Sequence, residues 1–169
     1  TFAELAREIN LLASALRARG IGKGDRITLY MGVSPQLAIA MLASAKIGAV
    51  HSVVFGGFSA DALRDRIQDA KAKALITADG AYYRGNVVPL KSAANAAAAE
   101  CPTLECVIVH QRCGVEVEMV TGRDIWWHDF VADASTEADT EVMEANDPLY
   151  ILYTSGTTGL PKGIVRDNG

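Results

Sequence analysis

The feature that most constrains the fold is a regular alternation between short runs typical of strands and longer segments of helical periodicity. Every second residue of 26–31 is apolar, as in a strand. Before that run, apolar residues recur at helical spacings of four, three and four, at Leu5, Ile9, Leu12 and Leu16. Strands that are connected through helices pair in parallel. The alternation therefore predicts an α/β fold, a layered sheet with mostly parallel strands and flanking helices.

Capping and turn residues give the predicted bounds of these elements. Ser34 before Pro35 is a helix N-cap with proline at the first helical position, and Ser59 can cap a further helix. Gly20 ends the first helix, and Asp79-Gly80 is interpreted as a turn. The predicted helices are 2–19, 35–47, 60–70, 91–100 and a short one over 123–131, and the predicted strands are 26–31, 50–55, 73–77, 106–110 and 149–154.

Composition excludes several classes of function. The 169 residues are 50% hydrophobic and 21% charged, as expected for one folded domain or a piece of a larger one. Twenty acidic residues against 16 basic ones give a net charge of -4, which argues against a nucleic-acid partner. The most apolar region, 37–60, is interrupted by Lys46 and His51, so we expect no membrane span. Three cysteines without a signal sequence after Thr1 indicate a reducing, cytoplasmic location.

The segment between Arg123 and Lys162 contains no further Lys or Arg and is rich in carboxylates. We interpret it as a solvated connector across the surface rather than an acidic docking site or a metal-binding run, and we assign no metal site. His51, inside a predicted strand, is expected to be a packed, hydrogen-bonded histidine rather than a catalytic base. The eight acidic residues of the connector are Asp124, Asp129, Asp133, Glu137, Asp139, Glu141, Glu144 and Asp147.

The sharpest functional signal is segment 154–163, TSGTTGLPKG, which directly follows the apolar run 149–152. Its glycines permit positive φ and carry no Cβ, so backbone amides can surround an anion. Four hydroxyls and Lys162 add donors whose hydrogen bonds to phosphate are charge-assisted. The segment therefore predicts a polyphosphate-binding loop, although its composition alone would also suit a flexible surface loop. A Walker A loop is disfavoured, because two residues separate the second glycine from Lys162.

Segment 154–163 resembles the phosphate-binding signature of the acyl-adenylate-forming enzymes, which include acyl-CoA synthetases, nonribosomal peptide adenylation domains and firefly luciferases. Three further blocks are similar to acetyl-CoA and propionyl-CoA synthetases in particular: KGDR at 23–26, HSVVFGGFSAD at 51–61 and ITADG at 76–80. The last residues, RDNG at 166–169, are more similar to propionyl-CoA synthetases. The resemblance extends over essentially the whole chain.

This resemblance implies an AMP-forming ligase that works in two steps. A small carboxylate, acetate or propionate, attacks the α-phosphate of Mg²⁺-bound ATP and releases pyrophosphate; the thiol of coenzyme A then displaces AMP. Lys162 could also stabilise charge in the transition state, and Gly163 serves the backbone turn. The resemblance assigns to the triphosphate Thr154, Ser155, Gly156, Thr157, Thr158, Gly159 and Lys162.

The resemblance also implies where coenzyme A binds. Its nucleotide end contacts a basic stretch that corresponds to 81–86 here, of which this sequence keeps Arg84 and Gly85. Tyr83 and Asn86 stand where relatives often carry further basic residues. Residues 55–57 could line the channel between the two sites, but packing at the end of a strand is the favoured interpretation.

Members of this superfamily are several times longer than 169 residues. We therefore expect residues 1–169 to be an incomplete portion of the large N-terminal AMP-binding domain, without the C-terminal domain and inactive alone. Two other functions stay open: a non-catalytic nucleotide-binding module that retains only the phosphate loop, and a P-loop-type phosphotransferase, which would release ADP rather than AMP.

Overall fold

The computed structural model describes residues 1–154 and 161–169. Helices and strands alternate through most of the chain. Their order is α1 (Phe2–Ala18), β1 (Arg26–Met31), α2 (Pro35–Lys46), β2 (Val50–Phe55), α3 (Ala60–Ala70), β3 (Ala74–Ala78), β4 (Gly80–Tyr83), β5 (Asn86–Pro89), α4 (Lys91–Ala99), β6 (Cys106–His110), β7 (Asp124–Trp126), α5 (Trp127–Phe130), β8 (Pro148–Thr154) and β9 (Lys162–Asp167).

The main sheet confirms the predicted mostly parallel architecture. Its described strands lie in the order β7-β6-β3-β1-β2-β8-β9. Every neighbouring pair is parallel except β8 and β9, which are antiparallel. Strands β4 and β5 form a separate antiparallel hairpin. The carboxyl ends of the parallel strands therefore meet at one edge of the sheet, the edge where ligands bind in open α/β folds.

Two helical layers enclose this sheet. The connection from β1 through α2 leads to β2, whereas the connection from β2 through α3 returns past β1 to β3. Right-handed connections that run in opposite directions place their helices on opposite faces. Helix α1 packs against α2 and α3 packs against α4, so each face carries one pair. Strands β1 and β3 are buried almost throughout, as expected for central parallel strands.

The predicted helix caps are confirmed by side-chain hydrogen bonds. The Ser34 hydroxyl accepts from the Leu37 amide at 3.4 Å, and the Ser59 hydroxyl accepts from the Ala62 amide at 3.3 Å. Both bonds satisfy amides that the first helical turn leaves without an intrahelical partner. The predicted starts of α2 and α3 are therefore correct.

The interpretation of Asp79-Gly80 as a simple turn is wrong. Gly80 begins β4, and the buried Asp79 carboxylate accepts hydrogen bonds from the Gly80 amide and from the four amides of 112–115. Burial alone would raise the pKa of Asp79, but the amides of Cys113, Arg112 and their neighbours stabilise the anion and lower it. Asp79 thus ties the loop after β6 to the end of β3.

Residues 123–131 and the carboxylate of Asp124 also differ from expectation. The segment begins as strand β7 and becomes helical only at Trp127–Phe130. Asp124, predicted to be solvated, is fully buried, and its Oδ2 lies 2.6 Å from Nζ of the buried Lys91. Burial would raise the pKa of Asp124, but hydrogen bonds from Arg123 and Lys91 outweigh it and lower the pKa. Strand pairing with β6 carries this carboxylate inside.

The rest of the acidic connector lies on the surface, as predicted, and is hydrogen-bonded to α1 and α2. Its backbone oxygens accept hydrogen bonds from Asn10, Ser14 and Arg17 of α1. Lys46, at the end of α2, donates to the Thr140 hydroxyl at 2.9 Å. The connector thus contributes main-chain acceptors to the helices that it crosses.

His51 is buried and packed, with its ring 5.7 Å from that of Tyr150, but Nδ1 finds no hydrogen-bond partner among the described residues. The predicted packing is confirmed, and a hydrogen bond at Nδ1 is not found in the described residues. Burial lowers the pKa of His51 from 6.5 to about 4.

This low pKa predicts a loss of stability in mild acid. The unfolded chain protonates its histidine below pH 6.5, whereas the folded state stays neutral until the pH approaches about 4. Because of His51, we expect the free energy of unfolding to fall by about 2 kcal/mol as the pH is lowered from 7.5 to 5. Urea unfolding of the full-length polypeptide and of His51→Leu across this range checks the prediction. If the free energy of unfolding fell equally with pH in the two proteins, the prediction would be contradicted.

None of the helices in the described part of the chain has the length and apolar character to cross a bilayer.

Candidate functional site

The two described ends of the predicted phosphate loop lie opposite each other. Thr154 ends β8, Lys162 begins β9, and the two residues are partners in the antiparallel register. Both are exposed. Residues 155–160, which include the predicted ligands Ser155, Gly156, Thr157, Thr158 and Gly159, lie outside the described residues. Directly opposed residues have Cβ atoms about 5 Å apart, so a hydroxyl and an ammonium flank the connection.

Gly163 has a packing role beside the loop. It is the register partner of Tyr153, and a Cβ added there would lie 3.1 Å from the Tyr153 ring and 3.1 Å from Ile151 Cγ2. These contacts are closer than most real Cβ contacts, so glycine leaves room for the tyrosine ring. The predicted assignment of Gly163 to the backbone rather than to the phosphates stays a prediction.

Tyr153, which precedes Thr154, is held by helix α3. Its hydroxyl donates to Asp69 Oδ2 at 2.6 Å, and the Arg66 guanidinium carbon lies 5.4 Å from the centre of its ring. Burial, followed by the bond to Asp69, raises the pKa of Tyr153 well above its usual range, so the phenol keeps its proton. These three residues are not among those predicted from the sequence. The spacing of Arg66 and Asp69 places both on one face of α3, but no local pattern shows that Tyr153 lies there.

The loop after β2 lies at the same edge of the sheet. Phe55 is 62% exposed and meets Phe58 edge to face, with ring centres 6.0 Å apart. Phe55 therefore packs on Phe58 at the end of β2, as favoured, but it is not part of the buried core. The hydroxyl of the buried Tyr30 donates to the Phe58 carbonyl oxygen at 2.8 Å, and this bond anchors the loop to β1.

The predicted coenzyme A residues form the tip of the β4–β5 hairpin. Arg84 has φ 49° and Gly85 has φ 82°, as in the two-residue type I′ turn that joins twisted strands. Both residues are exposed, and the Arg84 guanidinium carbon lies 5.2 Å from the centre of the Tyr83 ring. The hairpin thus presents a guanidinium and an aromatic face to solvent.

The hairpin and the phosphate loop share one edge of the sheet. The hairpin follows the carboxyl end of β3 and the loop follows that of β8; the strand order places these two strands three positions apart. At about 4.8 Å per position, the two strand ends are separated by roughly 14 Å. The topology therefore brings the two predicted sites to the same edge but does not merge them.

A small cavity opens beside the β4–β5 hairpin, at the carboxyl ends of β1, β3 and β6. Its volume is about 60 Å³, and its lining includes Ser34, Tyr82, His110 and Arg112. Pockets for nucleotides and other organic ligands hold roughly 300–1,000 Å³. The cavity is therefore too small for ATP or coenzyme A.

Within 1–154 and 161–169, no group of three or more His, Cys, Asp or Glu side chains could hold a metal ion. Magnesium binds proteins through one or two carboxylates plus substrate phosphates more often than through a full protein cage. The lack of a three-ligand cluster in the described residues is therefore compatible with a Mg²⁺ ion that arrives bound to ATP.

Comparison with known proteins places these features in context. A profile described as "AMP-binding enzyme" matches residues 1–169. Acetyl-coenzyme A synthetase 2 of Pseudomonas putida KT2440 is 51% identical over 169 residues, 100% of this chain and 26% of that protein. An acetyl-coenzyme A synthetase of Deinococcus radiodurans is 53% identical over 170 residues, with the same shares.

The fold also matches a solved structure. Acetoacetyl-CoA synthetase from Streptomyces lividans superposes with a TM-score of 0.91 at 37% sequence identity, over 100% of this chain and 26% of that one. The chain thus spans about a quarter of the length of the proteins that it matches. The match covers the whole chain, so it includes the edge of the sheet where the parallel strands end.

Proposed function

This chain belongs to the family of AMP-binding enzymes, and we propose that it forms part of an AMP-forming acid–thiol ligase that activates acetate or propionate with ATP and transfers the acyl group to coenzyme A. The observation that carries the proposal is the placement of Thr154 and Lys162. They flank a connection rich in glycine and hydroxyl side chains at the edge of the sheet where ligands bind.

The proposed reaction has two displacements. A carboxylate oxygen of the acid attacks the α-phosphorus of Mg-ATP, and the bond to the bridging oxygen of pyrophosphate breaks. The sulfur of coenzyme A then attacks the acyl carbon, and the bond from that carbon to AMP breaks. Negative charge accumulates on pyrophosphate in the first step, and preorganised donors at that position stabilise the transition state.

Each predicted residue has a role in this proposal. The hydroxyls of Thr154, Ser155, Thr157 and Thr158 and the amides around Gly156 and Gly159 bind the phosphates. The Lys162 ammonium neutralises the departing pyrophosphate. Lys162 is exposed and lies at the end of a strand, so its flexible side chain can reach a ligand in front of the sheet edge.

Arg84 is proposed to bind a phosphate at the nucleotide end of coenzyme A, with Gly85 providing the turn. Arginine suits phosphate because its guanidinium offers paired donors in a rigid plane. The type I′ geometry supports this role, since it directs the arginine to the tip of the hairpin. Tyr83, where relatives often have a basic residue, contributes a ring that packs with Arg84.

We further propose that residues 1–169 are part of the N-terminal adenylation domain of a cytoplasmic enzyme. The matched synthetases are about four times longer, which supports this view. The choice between acetate and propionate would then depend on acyl-pocket residues outside 1–169.

A comparison of two polypeptides tests the proposed function. The full-length polypeptide should catalyse acetate- or propionate-dependent ATP–pyrophosphate exchange and release AMP when coenzyme A is added, whereas residues 1–169 alone should show no exchange above background. Exchange is followed with labelled pyrophosphate, and nucleotides are separated by chromatography. Measuring kcat/KM for both acids identifies the preferred substrate.

Other outcomes point to other functions. ATP binding without exchange by the full-length polypeptide would favour a nucleotide-binding module. Release of ADP would favour a P-loop-type phosphotransferase. Robust exchange by residues 1–169 alone would contradict the proposal that they are an incomplete domain.

A further inference from the structure

Backbone pairing leaves the end of β8 weakly held. Among the described residues, the parallel register of β2 with β8 consists of two pairs, His51 with Tyr150 and Ser52 with Ile151. Beyond Ile151 the strand pairs only with β9, and every residue of β9 is exposed. Within the described part of the chain, the last residues of β8 therefore have register partners in β9 but none in β2.

Side chains of α3 replace the missing pairing. Asp69 accepts the Tyr153 hydroxyl at 2.6 Å, and the backbone oxygen of Arg66 lies 3.4 Å from the same hydroxyl. The Arg66 guanidinium also faces the Tyr153 ring at 5.4 Å. A hydrogen bond to a charged acceptor and a cation–π contact both depend on position, so they define where Tyr153 sits.

Arg66 contacts the neighbouring loop as well. Its guanidinium carbon lies 4.5 Å from the centre of the Phe58 ring, in the loop after β2. That loop is fixed in turn by the bond from the Tyr30 hydroxyl to the Phe58 carbonyl oxygen. Arg66 therefore contacts two aromatic rings, that of Phe58 in the loop after β2 and that of Tyr153 near the end of β8.

We propose that Arg66 and Asp69 are positioning residues for ATP, which hold Tyr153, and with it Thr154, in place relative to the loop after β2. The inference rests on the proposed function and adds to it. Neither side chain needs to touch a substrate. They restrict the motion of Tyr153 and Thr154 before ATP binds. Without them, ATP binding would have to restrict this motion itself, so their loss weakens ATP binding.

The test uses the full-length polypeptide and three substitutions that each weaken or remove contacts around Tyr153. Tyr153→Phe removes a single oxygen, Asp69→Asn removes the charge of the acceptor, and Arg66→Met removes the guanidinium but keeps an unbranched side chain. KM for ATP and kcat are measured by ATP–pyrophosphate exchange, and Tm is measured for each protein. The matched control is Asp65→Asn, since Asp65 of the same helix pairs with Arg64 rather than with Tyr153.

We expect KM for ATP to rise about 5- to 10-fold in Tyr153→Phe and Asp69→Asn, the size expected for the net contribution of one ordinary hydrogen bond. The two substitutions combined should raise KM little more than either alone, because both act on the same hydrogen bond. Arg66→Met should raise KM about 10-fold, Arg66→Lys should restore part of the loss, and Asp65→Asn should leave KM unchanged.

A purely structural role would give a different result. Partial unfolding lowers kcat and Tm through the fraction of active enzyme but leaves KM for ATP unchanged, and this pattern would overturn the inference. Unchanged KM in Tyr153→Phe, in an enzyme that catalyses exchange, would also overturn it while leaving the proposed function intact. Absence of exchange and of ATP binding in the unmodified polypeptide would instead refute the proposed function, and the inference with it.

Discussion

Replacing Lys162 with alanine in the full-length polypeptide is expected to lower kcat/KM for ATP in carboxylate-dependent ATP–pyrophosphate exchange by about 100-fold, the scale of removing one preorganised donor to a developing charge. The physical reason is the position of Lys162, exposed at the first residue of β9 and opposite Thr154. No Lys or Arg lies between Arg123 and Lys162 in the sequence. Exchange rates at varied ATP concentration measure the effect.

Arg166→Ala is the matched control. Arg166 is also an exposed cation on β9, and its register partner is Tyr150. It lies four residues from Lys162, so both side chains leave the same face about 13 Å apart. We expect this substitution to change kcat/KM less than 2-fold. Equal losses in the two variants would show that general surface charge, rather than Lys162, acts on ATP.

The largest expected effect on stability comes from Asp124→Ala, which should lower the free energy of unfolding by about 3–5 kcal/mol because it leaves a buried ammonium without its counter-ion. Asp124 is fully buried, and Lys91 is 1% exposed. The other Lys91 partners are the Asn95 side-chain oxygen and the Glu118 backbone oxygen, which are neutral acceptors. Urea unfolding of the full-length polypeptide and its variant measures the loss.

Two comparisons separate the buried pair from ordinary charge effects. Asp61→Ala removes a carboxylate that is 79% exposed in its pair with Arg64, so we expect at most about 1 kcal/mol. The double substitution Lys91→Met with Asp124→Leu removes both charges and should recover most of the stability lost in Asp124→Ala. A loss below about 1 kcal/mol in Asp124→Ala would contradict the prediction.

Elements whose residues pack on the core were predictable from local pattern. The strands predicted at 26–31, 50–55 and 106–110 match the observed strands residue for residue, because a buried parallel strand must be apolar and must end where turn residues begin. The starts of α2 and α3 were readable from Ser34 and Ser59, since a cap depends on residues only three apart.

Elements formed by exposed residues were not predicted. The β4–β5 hairpin turns at Arg84-Gly85, where both residues have positive φ, and arginine is not a residue that predicts this left-handed conformation. Strand β9 is exposed along its whole length, so its residues show no burial pattern; pairing with β8 makes it a strand. In the same way, the carboxylate of Asp124 is indistinguishable in sequence from its solvated neighbours in the connector.

The amino-acid sequence by itself determined the alternation of helices and strands, the parallel sheet and the chemistry of segment 154–163, because periodicity, caps and glycine spacing are local properties of the chain. Only the tertiary structure decided which distant side chains meet. It placed Tyr153 against Arg66 and Asp69, more than 80 residues away, and Lys91 against Asp124. Such contacts depend on strand order and register, which bring together positions that no short stretch of sequence relates.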